Sequence, residues 1–315
     1  MDINSLLKIA SKYVELENFK KKSLELDKFT LDVNTCAKEK IDSFEEYYKK
    51  TLCRIKEYGE IIFNKNIKDL KDLIGVINVC LDTYAMIDCT KKDSNKYLAC
   101  MGLFRNSIKI LYEINTLSLN GYADGAFARW RSLYENFVII KLLIKLDEEI
   151  SELFIKYQTI IKGKRIKDFN KLSTLNSNDD LKIILDEYEN LKSNYSEEFT
   201  SFNGWLYKKF SQREDRSFTK LSEFVGNSEW LFPYRMACDY MHCNSFSAFE
   251  SIGTVNGQFP MGPSENGLAF PISLTINIAI YICVNLTDEF VGINHIGIFI
   301  HKYLLKILDI INKKL

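Results

Sequence analysis

Apolar residues recur every three, four or seven positions through most of this chain, the period of helices that bury one face. Within residues 29–63 they are Ile41, Phe44, Tyr48, Leu52, Ile55 and Ile62. Residues 70–87 and 97–119 keep the same period, with KKDSNK as the loop between them, and residues 6–26 read as a charged amphipathic helix. Asn120-Gly121 is a turn, with Asp124 placed to cap a more apolar helix over 126–146. A polar linker at 176–180 leads to an acidic helix over 181–195. Short helices follow at 202–210 and 218–225, on either side of the charged loop QREDR. A further helix is predicted over 234–250, started by Pro233.

Proline use supports this reading. All four prolines (233, 260, 263 and 271) lie in the last third, so residues 1–232 lack the strongest helix breaker. Residues 253–267, with Asn256-Gly257 and two prolines, read as an irregular loop or a small hairpin. No heptad persists long enough for a free coiled coil. The expected fold is all-α: a helical region at 1–95 followed by a helical bundle domain at 96–315 that carries the site.

Composition narrows the function classes. Lys+Arg and Asp+Glu each number 42, so no global field draws the chain to nucleic acid or membrane. Eight cysteines without a CxxC pair fit reduced thiols in a cytoplasmic protein better than a disulfide framework or a zinc site. The opening residues mix acidic and basic side chains and hold no uninterrupted apolar core, so they do not read as a secretory signal. Residues 266–287 carry no charge and are long enough to span a bilayer. With Pro271, Ser273, Thr275, Asn277 and Asn285 inside, this stretch reads as a core helix, and membrane attachment through Pro271 to Thr287 is the alternative. Phosphate-binding glycine loops and hydrolase elbows are absent, and neither His295 nor His301 sits in a ligand-spaced motif. No cofactor or metal is expected.

Two helices place charge on their apolar stripes. Arg131 and Glu135 are one turn apart and share a stripe with Val138 and Leu142. They are either an anion contact and its orienting carboxylate, or a buried structural pair. Arg235, Asp239 and His242 fall within one arc that Phe246 and Phe249 continue, so this face is expected to turn toward protein. Lys162, Lys164, Arg165 and Lys167 form a basic stretch that suits either phosphate contacts or a solvated helix end.

GYADGAFARWRSLYENFVII, NGW at 203–205 and YRMACDYMH resemble an uncharacterised bacterial family, domain-of-unknown-function family 5677. That pattern is an R-x-x-x-E helix, a Gly-Trp segment and a Tyr-led helix ending in Ser-x-x-His. Arg131, Glu135, Trp205, Tyr234 and His242 take the matching positions, with Asp239 where Ser is usual. The resemblance implies an all-helical fold and supplies no activity. The R-x6-H spacing of Arg235 and His242 is similar to HEPN-type helical ribonucleases, although Met236 stands where those carry a polar residue.

That second resemblance implies metal-independent RNA cleavage by a homodimer, as in a toxin or phage-defence effector. Its residues would be His242 for proton transfer, Arg235 for phosphate charge and Asp239 to orient the imidazole. The expectation is that Arg131, Glu135, Arg235, Asp239 and His242 converge in one pocket, with Tyr234, Lys162, Lys164 and Arg165 binding RNA. The rival expectation is a non-catalytic helical protein that binds a partner or a small anion.

Overall fold

A computed structural model describes residues 22–44, 46, 67–90, 92–172, 179–242, 244–257, 262–264, 266–292 and 295–313. Among the described residues there are eleven α-helices and no strand, so the fold is all-α. They are α1 (Lys22–Asp42), α2 (Ile67–Asp88), α3 (Asn95–Leu119), α4 (Ala123–Lys145), α5 (Glu148–Leu172) and α6 (Asp179–Asn194). After these come α7 (Phe218–Phe224), α8 (Leu231–Met241), α9 (Ser245–Phe249), α10 (Ala269–Phe290) and α11 (His295–Asn312). The expected helix at 6–26 and the second half of that at 29–63 lie largely outside the described residues, as does most of the 176–180 linker.

The chain divides into two compact units. The first gathers the described residues up to Lys92 with Met101–Phe137 and Phe232–Leu315; the second gathers Asp93–Cys100 and Val138–Leu231. In the first unit α10 packs on α2 and α11, and α1 packs on α11 and α2. α10 is the one helix among the described residues long and apolar enough to cross a membrane, with mean hydropathy 1.8 over its most apolar window, of which 61% is buried. Its Thr275, Asn277 and Asn285 side chains each bond the carbonyl four residues back, which lets polar groups ride on an apolar helix at little cost. The ring of Phe44, just beyond α1, lies where a Cβ on Gly75 would sit, so glycine there lets the two segments close. Lys40 is buried on α1 and pairs with Asp82 on α2 at 2.7 Å.

Aromatic side chains on one face of α4 form a ladder inside this unit. Phe127 stacks on Trp130, and Trp130 on Tyr134, each with ring centroids 5.6 Å apart. Tyr234 from α8 and Phe270 from α10 close on the ladder at 5.6 and 5.2 Å. Such pairs contribute roughly 0.5–1.5 kcal/mol each beyond the area they bury. Asp124 lies in the first turn of α4 and does not cap it as expected. Its carboxylate accepts instead from the Ile252 backbone N–H at 2.8 Å, tying the loop after α9 to the start of α4. That loop contains turns and no strand among its described residues, with Asn256 and Gly257 both at positive φ.

In the second unit α5 and α6 pack as a hairpin, followed by 3₁₀ turns at Glu197–Thr200, Gly204–Leu206 and Glu214–Arg216. Phe199 is fully buried among Tyr157, Tyr195 and Tyr207. The NGW segment is the hub of these turns. Asn203 adopts the left-handed conformation and donates to the Arg216 carbonyl at 2.9 Å. Gly204 has no room for a side chain, and buried Trp205 meets Phe154 edge-on at 4.9 Å.

Arg216 belongs to the QREDR loop, yet its side chain is 0% exposed. Its donors reach Glu198 Oε2 (2.6 Å), Ser201 Oγ (2.9 Å) and the carbonyls of Glu198, Ser211 and Gln212. Hydrogen bonds from Arg213 and Arg216 hold the Glu198 carboxyl down to about 2. A carboxyl depressed on folding stabilises the fold above its usual pKa, and that contribution is lost as pH falls through the folded value. The stability gap between wild type and Glu198→Gln, measured by urea titration, is therefore expected to be constant above about pH 5 and to shrink steadily toward pH 2.

Candidate functional site

α4 and α8 build the site in the first unit. Glu135 follows Arg131 by one helical turn, so the two side chains meet over the surface of α4, and Arg131 Nη2 lies 2.7 Å from Glu135 Oε1. Pro233 sits in the first turn of α8, where its missing N–H costs no helical bond, and the helix then carries Tyr234 against α4. The Tyr234 hydroxyl donates to Glu135 Oε1 at 2.9 Å and accepts from Arg131 Nη2 at 3.4 Å. The guanidinium also lies over the Tyr234 ring, 5.4 Å from its centroid.

The remaining donors of Arg131 are poorly answered. Nη1 reaches only the thioether of Met241 at 3.4 Å, a weak acceptor, and Nε is buried with no hydrogen-bond partner among the described residues. Burial opposes the charge on Arg131, but the Tyr234 hydroxyl and the Glu135 carboxylate outweigh it and raise the guanidinium pKa. Burial, with the Glu135 charge behind it, pushes the Tyr234 phenol well above its usual range. At neutral pH the cluster is therefore a fixed cation, its carboxylate partner and a neutral phenol.

The other expected site residues are placed differently. α8 stops at Met241, and Asn244 caps a separate five-residue helix, α9. Asn244 Oδ1 accepts from the Ser247 N–H at 2.9 Å, and Ser247 Oγ answers the Asn244 N–H. The predicted continuous stripe is thus broken at His242. Arg235, His242, Phe246 and Phe249 are all exposed, so this face turns toward solvent and not toward protein as expected. Asp239 Oδ1 accepts from Asn244 Nδ2 at 3.1 Å, which ties this carboxylate to the cap residue of α9.

Of the five expected pocket residues, the structure joins Arg131 to Glu135 and adds Tyr234, Met241 and Cys238 around them. Met241 was not singled out from the sequence, although it lies within about 40° of Tyr234 on a helical projection, as does Cys238.

Lys162, Lys164 and Arg165 are exposed on α5 in the second unit. Lys164 donates to the Thr200 carbonyl, and Lys167 nearby pairs with Glu189, so part of the basic stretch serves internal contacts. Trp205 lies in the same unit as a packing residue. His301 Nδ1 meets Asp288 Oδ1 at 2.7 Å, and among the described residues no three His, Cys, Asp or Glu side chains converge as a metal site.

No curated protein and no solved structure matches this chain. Residues 97–259 match a family of unknown function, DUF5677, and this span holds the Arg131 helix, the NGW hub and α8. It covers more than half of the chain. The chain therefore belongs to the DUF5677 family of unknown function.

Proposed function

We propose that this protein binds a phosphate-bearing ligand at the Arg131 guanidinium, without cleaving it. The observation that carries the reading is the buried, unanswered Nε of Arg131 beside an Nη1 that meets only a thioether. A buried donor left unmade costs roughly 1–3 kcal/mol, and a tetrahedral oxyanion would satisfy it through charge-assisted bonds. Met241, 48% exposed at the end of α8, is the side chain such a ligand would displace. Glu135 and Tyr234 hold the guanidinium in place through Nη2, so Nε and Nη1 are each held in position for a ligand oxygen. Exposed Arg235 on α8 adds cationic character for a larger phosphate ester.

Among the described residues Asp239 bonds Asn244 and no hydrogen bond joins it to the His242 ring, which supports binding over RNA cleavage. Calorimetric titration of inorganic phosphate into the full chain is expected to give saturable binding. Arg131→Lys keeps the charge, loses the fork, and is expected to weaken binding about 10- to 100-fold while helicity is unchanged. An absence of saturable binding by wild type would overturn the reading. Expression of wild type and His242→Ala in bacteria, followed by growth and total RNA, tests the rival: intact RNA and equal growth are expected. RNA loss that depends on His242 would replace binding with ribonuclease action.

A further inference from the structure

The core of the first unit contains a pair of thiols that neither the site nor the fold requires. Cys80 on α2 and Cys283 on α10 are 203 positions apart and both 0% exposed, with their sulfurs at 3.5 Å. Cys80 Sγ also lies 4.0 Å from the Ala279 carbonyl oxygen, so the thiol reaches the backbone of the facing helix. Both cysteines are free thiols. Any two small apolar residues would fill this space, but only paired cysteines can be covalently joined across it. We propose that Cys80 and Cys283 form a redox latch that closes into a disulfide and fastens α2 to α10.

The reaction is thiol–disulfide exchange with a small-molecule disulfide as oxidant. One protein thiol loses its proton, attacks a sulfur of the oxidant and releases one small thiol, leaving a mixed disulfide on the protein. The second protein thiol, deprotonated in turn, attacks the protein-side sulfur of that mixed disulfide and releases the second small thiol. Two protein thiols are oxidised to one disulfide, the reagent disulfide is reduced to two thiols, and the two protons end on those thiols.

Burial governs when this happens. The Cys80 thiol is held well above its ordinary pKa, by its contact with Cys283 and by burial. Neither sulfur meets solvent in the closed core, so exchange waits for α10 to part from α2. Once formed, the bond closes a chain segment of about two hundred residues, a long loop of the kind for which cross-links constrain the unfolded chain most. The latch therefore reports on, and then suppresses, opening of the helix pair at the centre of the unit.

The test incubates the full chain with oxidised glutathione at a urea concentration where N-ethylmaleimide modifies both Cys80 and Cys283, which establishes access. After quenching and digestion, the expected result is a linked Cys80–Cys283 peptide as the dominant disulfide. The oxidised protein is expected to melt several degrees higher, the shift vanishing with dithiothreitol and absent in Cys283→Ser. Stable mixed glutathione adducts, or bonds spread among Cys36, Cys89, Cys100 and Cys238, would overturn the proposal. So would a linked peptide that leaves the melting temperature unchanged.

Discussion

Arg216→Met is expected to destabilise the second unit by about 3–5 kcal/mol, the largest effect of any single substitution at its surface-like loop. The side chain is wholly enclosed, and its donors answer Ser201 Oγ and three backbone carbonyls as well as the Glu198 carboxylate. Methionine fills part of the volume but leaves those acceptors without donors in a region closed to water. Glu198→Gln removes the charge partner alone and is expected to cost much less, because Glu198 remains 40% exposed. Urea unfolding of both variants separates the two contributions. Comparable losses would place the energy in the ion pair and not in the buried acceptors.

The second large effect is expected at Gly204. A Cβ added there would lie 2.2 Å from the Phe199 carbonyl oxygen and 2.6 Å from that of Glu198. Both obstacles are backbone, and the Phe199 ring behind them is already packed by three tyrosines, so no side chain can rotate away. Gly204→Ala is expected to cost about 3 kcal/mol through the forced shift of the 3₁₀ turns. Gly102→Ala is the control: it lies inside α3 with nothing within 4 Å of the added carbon, and it should stabilise by about 0.5–1 kcal/mol. Thermal melts of the two variants in opposite directions are the expected outcome. A Gly204→Ala protein as stable as wild type would mean that the NGW hub is not tightly packed.

These two positions show what the sequence could and could not reveal. Helix existence was legible, because α2, α3, α4 and α6 each present an apolar stripe long enough to override local ambiguity. Arg216 was not legible. QREDR has the composition of a solvated loop, and only the folded chain shows that one of its two arginines points inward to serve five acceptors. Periodicity says which face of a helix is apolar, but it says nothing of which charge in a loop is enclosed.

The candidate site was half legible for related reasons. Arg131 and Glu135 stood out as a charged pair on an apolar stripe and Tyr234 through the family resemblance, and the structure joins the three through the Tyr234 hydroxyl. The extension through Arg235, Asp239 and His242 assumed one helix over 234–250. The NSFS capping box at 244–247 ends that helix early, a signal present in the sequence that the apolar period obscured. With the helix broken, Phe246 and Phe249 no longer mark a buried face, and the charges beside them stand in solvent.

The phosphate reading rests on a single guanidinium, so the most direct test observes that group. In protein labelled with 15N-arginine, the Nε–H resonance of Arg131, assigned by its loss in Arg131→Lys, is followed as inorganic phosphate is added. The expected result is a saturable shift of that resonance, with the Arg216 resonance unmoved. A spectrum in which Arg131 does not respond, or drifts no more than Arg216, would contradict phosphate binding at Arg131.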